Sequence, residues 1–125
     1  MITNINSGKI MDITQLSNHY SSTGQITLND LQAIKQLGFK TIICFRPPAE
    51  DKENQINQED LKNEALKNNL VFLNIPVIPG NITPENVATF TQEMSSQQAP
   101  ILGYCKSGGR AKGMYLAYEQ SQNLK

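Results

Sequence analysis

Leu28, Leu31, Ile34 and Leu37 recur at the spacing of one helix face, and Gly38 ends the pattern. Thr27 and Asp30 stand before them in a capping arrangement, so the spacing predicts an amphipathic helix over roughly Leu28 to Leu37. Thr41-Ile42-Ile43-Cys44-Phe45 is then a continuous β-branched and apolar run, closed after Arg46 by Pro47-Pro48, as expected of a buried parallel strand. Between Glu50 and Asn69 charge and amides dominate, but Leu61, Ala65, Leu66 and Leu70 supply one apolar side to a helix starting near Asn57 or Gln58. Val71 to Ile75 reads as the next strand, and Pro76 ends it before a loop from Val77 to Asn81. Thr83 caps a third helix with Pro84 in its first position and Val87, Phe90 and Met94 along its buried stripe, ending by Gln97 or Gln98. Ile101 to Tyr104 is a final apolar strand, and Ala111 to Gln120 a terminal helix carrying Met114, Tyr115, Leu116 and Tyr118. Upstream, Lys9 to Ile13 suggests a short opening strand, and the small polar run Ser21 to Gln25 suggests an irregular loop.

This alternation of strand and helix calls for an α/β fold of three layers, α/β/α, around a mainly parallel sheet of four to five strands. At 125 residues, without an internal repeat or linker, one domain over 1–125 is expected. In such sheets ligands bind beyond the carboxyl ends of the strands. Arg46, the Val77 to Asn81 loop and the segment Cys105 to Arg110 all fall at that rim.

Composition narrows the partners. Apolar residues at 38% and charged residues at 18% are ordinary for a globular chain and argue against disorder. Eleven basic residues balance eleven acidic ones, which leaves no electrostatic footprint for nucleic acid or an anionic membrane. No apolar run is long enough to cross a bilayer, and the start Met1-Ile2-Thr3-Asn4 lacks the pattern of a signal peptide, so the cytoplasm is the expected location. Two cysteines, Cys44 and Cys105, are too few for a disulfide framework or a four-thiolate zinc site. No cofactor is expected, and the lone His19 has no ligating neighbour in sequence that would suggest a metal.

The candidate chemistry lies in Cys105-Lys106-Ser107-Gly108-Gly109-Arg110. A loop between a buried strand and a helix can turn its backbone amides around an anion while the helix adds unpaired N–H groups and its positive dipole end. Gly108 and Gly109 permit the tight curl, and Lys106 and Ser107 complete the anion-binding loop. A cysteine in that field favours the thiolate, the reactive form. Arg110 offers a planar fork able to take two oxygens of a sulfate-like or phosphate-like group. The chain has only one other arginine, Arg46, at the same rim; a surface ion pair with Glu50 or Asp51 is its simpler reading. Cys44 reads as a core residue, with a reversible disulfide to Cys105 as the alternative if their strands are neighbours.

Ser22 to Ile26, Gly38 to Ile43, Arg46-Pro47, Ile75-Pro76-Val77 and Tyr104 to Arg110 together resemble the phosphatase-like domain of bacterial beta-lactamase-hydrolase-like proteins over nearly the whole chain. The resemblance implies a dual-specificity-phosphatase-like fold, with Cys105 as nucleophile, Arg110 as anion clamp and Arg46 with Glu50 in an Arg-Pro-x-x-Glu segment. Some members of that family are described as sulfurtransferases fused to a metallo-hydrolase or persulfide dioxygenase domain. The present sequence departs from the pattern in having Gly109 where a hydroxyl residue is common and Ala111 where serine is common; Ser107 is the remaining candidate hydroxyl.

Cysteine and arginine are separated by four residues, where tyrosine-phosphatase-like enzymes usually have five; this shorter loop resembles that of rhodanese. Phosphate-ester hydrolysis also calls for a general acid, and the Val77 to Asn81 loop holds no carboxylate. Glu85 begins the next helix and is expected to serve its dipole, while Asp51 or Glu50 would have to reach the rim from another loop. The leading expectation is therefore sulfur transfer from thiosulfate or a persulfide through a Cys105 persulfide. Phosphatase-like hydrolysis of phosphate monoesters through a phosphocysteine is the alternative, and a non-catalytic anion-binding module the third. Expected partners are a small anionic sulfane-sulfur donor or phosphate ester and a separate persulfide dioxygenase or thiol acceptor, with Arg46, Glu50 and Asn81 as outer support for the loop.

Overall fold

A computed structural model describes residues 12–51 and 53–123. The sheet runs β1 (Thr14–Gln15), β2 (Tyr20–Thr23), β3 (Thr41–Cys44), β4 (Val71–Asn74) and β5 (Ile101–Tyr104). The helices are α1 (Asp30–Gln36), α2 (Gln58–Lys67), α3 (Pro84–Ser96) and α4 (Gly109–Asn123). The spatial order is β1-β2-β5-β3-β4, parallel throughout except for the antiparallel β1–β2 pair. Strand β5 is central, so the loop after it opens at the middle of the sheet's carboxyl edge.

Alternation along the strands feeds two cores. Ile42, Cys44, Leu102 and Tyr104 pack on one face with Leu31 and Ile34 of α1 and Leu61 and Ala65 of α2. Ile43, Phe45, Ile101 and Cys105 pack on the other with Phe90 of α3 and Ala111, Met114 and Tyr115 of α4. These are the three expected layers. Helix ends follow their sequence signals: Asn57 caps α2 through Asp60 N–H, and Thr83 and Asn86 form a reciprocal capping box on α3 with Pro84 in its first turn.

Several expectations need correction. Tyr20–Thr23 is no loop but a buried strand paired with β5, and it is the partner of the central strand. The opening strand predicted from Lys9 lies mainly outside the described residues, while its last residues, Asp12 and Ile13, precede the strand at Thr14–Gln15. Leu28 and Leu37 flank α1 and are half exposed, because the helix is only Asp30–Gln36; Leu66 and Leu116 also face outward. Capping at α1 is reversed, the Asp30 carboxylate accepting from the Thr27 N–H at 2.8 Å and its hydroxyl at 3.1 Å.

Gly103, opposite Ser22 and Ile43, leaves room for the Tyr20 ring, whose hydroxyl donates to the Ala111 carbonyl at 2.8 Å and ties β2 to α4. A Cβ at Gly103 would collide with the Tyr20 hydroxyl and come within 2.8 Å of Phe45. Gly103→Ala is therefore expected to destabilise the fold by about 2–3 kcal/mol through overpacking, measured by urea denaturation.

Candidate active site

The carboxyl ends of β2, β3, β4 and β5 converge on one rim. Beyond β5 the chain curls through Lys106 to Gly109 and enters α4 directly. Gly108 makes the curl possible: its φ of +98° is the left-handed conformation that glycine adopts without penalty, and a Cβ there would lie 3.3 Å from the Thr23 backbone. Gly24 approaches from β2's end, where a Cβ would be 3.1 Å from the Lys106 carbonyl oxygen. Gln25 N–H donates to that carbonyl at 3.1 Å, and Cys105 N–H to Thr23 O at 3.3 Å, so the loop is braced along one side by β2's exit.

Inside the curl, Gly108 N–H points at Cys105 Sγ, 3.1 Å away. The N–H groups of Lys106, Ser107, Gly109 and Arg110 have no acceptor among the described residues. They are the donors that the loop keeps for a ligand. Cys105 itself is only 1% exposed and lies beneath the loop residues that face solvent.

Arg110 is held from the opposite side by Glu50. Nη1 donates to Oε1 at 2.7 Å and Nη2 to Oε2 at 2.8 Å, while Nη1 also donates to the Val77 carbonyl at 2.8 Å. These bonds use the end of the guanidinium and the outer N–H of Nη1. The remaining edge, Nε–H with the outer N–H of Nη2, meets no protein oxygen among the described residues and can take two oxygens of one anion. The Glu50 hydrogen bonds raise the Arg110 pKa further, so its charge is permanent.

Glu50 also accepts from Arg46 Nε at 2.9 Å. A turn begun by Pro47 and Pro48 brings it back over Arg46, with Glu50 N–H on the Pro47 carbonyl at 3.2 Å. The expected Arg46–Glu50 pair therefore exists, but Arg46 is 2% exposed and Glu50 only partly exposed, so it is no surface pair. Arg46 Nη1 donates to Gln25 Oε1 at 2.6 Å. Its carbonyl accepts from Gln58 at 2.8 Å and Asn74 at 3.1 Å. The Arg110 and then the Arg46 bonds hold the Glu50 pKa below its ordinary value, against partial burial.

Beside this arrangement lies a cleft of about 770 Å³ lined by Glu50, Pro79, Gly80, Ile82, Lys106, Ser107, Gly109 and Arg110. Its single carboxylate is tied to two arginines and is no proton donor. Asp51 and Glu85 do not line it, and Asn81, expected as outer support, is exposed and only closes the turn through its N–H to Ile78 O at 2.9 Å. Tyr104 is buried in the other core and forms no wall of the cleft. Cys44 pairs in register with Tyr104, not Cys105, and the two sulfurs belong to opposite faces of the sheet, which removes the disulfide alternative. Burial pushes the Cys44 thiol pKa up, as suits a core residue. Gln25 and Ile82 carry no local signal of their places at the site, Gln25 standing in a polar run that reads as a loop. Among the described residues no group of three or more His, Cys, Asp or Glu could hold a metal, and no helix is long and apolar enough to cross a membrane.

Comparison with known proteins settles the lineage. The family model for the beta-lactamase hydrolase-like protein, phosphatase-like domain, matches residues 12–122. The chain belongs to this family. The beta-lactamase hydrolase-like protein of Agrobacterium fabrum is 28% identical over 109 residues, 87% of this chain but 25% of that protein. The chain thus spans about a quarter of the length of the curated relatives it matches. A candidate phosphatase from Neisseria meningitidis is 34% identical with a TM-score of 0.76, over 82% of this chain and 72% of that one. At 14% identity the kinase-associated phosphatase, solved with its catalytic-site cysteine replaced by serine, shares the fold alone, with a TM-score of 0.66 over 82% of this chain and 68% of that one. The fold is thus that of the cysteine phosphatases.

Glu50→Gln tests the electrostatic frame. Removing the carboxylate shared by two arginines, part-buried and screened by solvent from the cleft, is expected to cost about 1–2 kcal/mol at neutral pH, measured by denaturant unfolding. Because the folded carboxyl titrates below its unfolded value of ~4.3, the contribution is present above that pH and fades as pH falls through the folded value. The Glu50→Gln protein should therefore lose less stability than the parent on acidification through that window.

Proposed function

We propose that this domain is a phosphatase-like cysteine enzyme in which the Cys105 thiolate attacks a small anion clamped by Arg110, and whose leaving group departs without a proton. The observation that carries the reading is the Nε/Nη2 edge of Arg110, held by Glu50 with no oxygen acceptor among the described residues, beside unpartnered amides curled around Cys105 Sγ. Amides and guanidinium are placed to stabilise charge as it builds in a displacement. The only carboxylate on the cleft is committed to arginines, which restricts the site to leaving groups that are stable as anions.

For a phosphate ester, Sγ forms a bond to phosphorus as the P–O bond breaks and an acidic alcohol or phenol leaves as its anion. Water then cleaves the phosphocysteine, releasing phosphate and a proton to solvent. The phosphatase names carried by the relatives support this reading. Sulfur transfer is the second reading, supported by the four-residue spacing and the absent acid. There Sγ would form an S–S bond to the outer sulfur of thiosulfate while sulfite leaves with the bonding pair, and an acceptor such as cyanide would remove that sulfur and restore the thiolate. Cys105 and Arg110 act on the substrate in either case; Lys106, Ser107, Gly108 and Gly109 form the cradle, and Arg46 and Glu50 are positioning residues.

Two assays with the purified protein distinguish the readings: vanadate-sensitive hydrolysis of p-nitrophenyl phosphate, and thiocyanate release from thiosulfate and cyanide. Cys105→Ser is expected to abolish whichever activity is present, and Arg110→Lys to lower kcat/KM by about 10²-fold. Full turnover by Cys105→Ser would remove the nucleophile. Thiocyanate release without phosphate release would select sulfur transfer.

A further inference from the structure

The cleft is much larger than the cradle requires. An inorganic oxyanion has about five heavy atoms, whereas 770 Å³ falls within the range of roughly 300–1,000 Å³ typical of sites for drug-sized organic ligands. Its lining is of two kinds. Lys106, Ser107, Gly109 and Arg110, with Glu50 bound to Arg110, are polar or charged; Pro79, Gly80 and Ile82 carry no charged group. The loop bearing the uncharged set is turned by Gly80, whose φ is +76°, and closed by the bridge between Ile78 and Asn81.

Ile82 is fixed relative to the anion clamp. It packs against α4 at Gly113, where a Cβ would stand 3.3 Å from Ile82 Cδ1. Gly113 lies one helical turn beyond Arg110, so the same helix sets both the clamp and the apolar surface facing it. Val77, at the start of the same loop, accepts from Arg110 Nη1 and joins the wall to the clamp a second time. On the polar side Lys106 has no ion-pair partner among the described residues and leaves a positive charge over the cleft.

From this geometry we infer that the cleft takes an organic anion, its oxyanion head in the Cys105–Arg110 cradle and an apolar, aryl-sized body against Pro79, Gly80 and Ile82. The inference rests on the anion-binding reading above and adds the substrate class. The apolar body is the leaving side of the substrate: when the P–O bond breaks, the aryl group leaves with that oxygen as a stabilised aryloxide, which is what a site lacking an acid requires. Ile82 is the specificity-determining residue.

Binding of unreactive ligands tests this apart from turnover. Phenylphosphonate and methylphosphonate carry the same head and differ in the body, and their Kd values can be measured calorimetrically on the Cys105→Ser protein, where no reaction interferes. Phenylphosphonate is expected to bind about tenfold more tightly, as burial of part of a ring against the wall would give. Ile82→Ser should bring the ratio of the two Kd values towards one, while Ile82→Val should keep it. Because Ile82 also packs on α4, Pro79→Ser is the second variant and should lower the same ratio. Equal affinities in the parent, or a ratio unmoved by both Ile82→Ser and Pro79→Ser, would overturn the inference and leave the cradle chemistry standing. Binding of neither phosphonate would overturn both. A phenyl preference in a protein whose Cys105 form turns over neither phosphate ester nor thiosulfate would support the organic-anion site and remove the transfer reaction.

Discussion

One carboxylate, Glu50, receives hydrogen bonds from both arginines of the chain, and the geometry of the rim follows from that convergence. Arg110 enters from the first turn of α4 and Arg46 from the end of β3, elements that meet only because β3 and β5 are neighbours in the sheet. With its end edge and Nη1 occupied, Arg110 has a single orientation and a single open edge. An unheld guanidinium would lose side-chain entropy on meeting an anion; here that loss is already incurred in folding. Burying Arg46 and drawing Glu50 and Arg110 partly out of water carries a desolvation cost, offset by the short bonds among them and by the carbonyl of Val77.

The cradle depends equally on a strand that carries almost no apolar residues. Ser21, Ser22 and Thr23 are buried beside β5, and beyond them Gly24 and Gln25 press on the Lys106 carbonyl. Gln25 does two things at once, its N–H bracing the loop of Cys105 and its side-chain oxygen holding Arg46. Small residues at this junction allow two backbones to approach within contact distance. Bulk there would move Cys105 away from Arg110.

Much of this was legible in the sequence, for identifiable reasons. β3 and β5 are short continuous apolar runs closed by prolines or by the Cys105 loop, and α3 is announced by Thr83 and Pro84, so their places could be read locally. The cysteine-to-arginine segment is likewise local: glycines, strand and helix stand together in one stretch. β2 was not legible, because hydroxyl side chains buried against a glycine-bearing strand look like a loop when read without their partner. Glu50's role depends on a contact across sixty positions, which no local pattern encodes. Cys44 is the core residue that its apolar run suggests, and only the register, which sets it opposite Tyr104 on the other face, removes the disulfide alternative. Ile82, next to the Thr83 cap, has no local signal of its place; it packs on Gly113 of α4 and lines the cleft.

Where an anion sits, and what holds its clamp, decides the chemistry of this rim. The most direct measurement is a crystal structure of the protein with tungstate bound. The account predicts the oxyanion within the curl of Lys106 to Arg110, above Cys105 Sγ, accepting from Nε and Nη2 of Arg110 while both Glu50–Arg110 bonds persist. Tungstate that displaces Glu50 from Arg110, or that binds away from the cysteine loop, would contradict it.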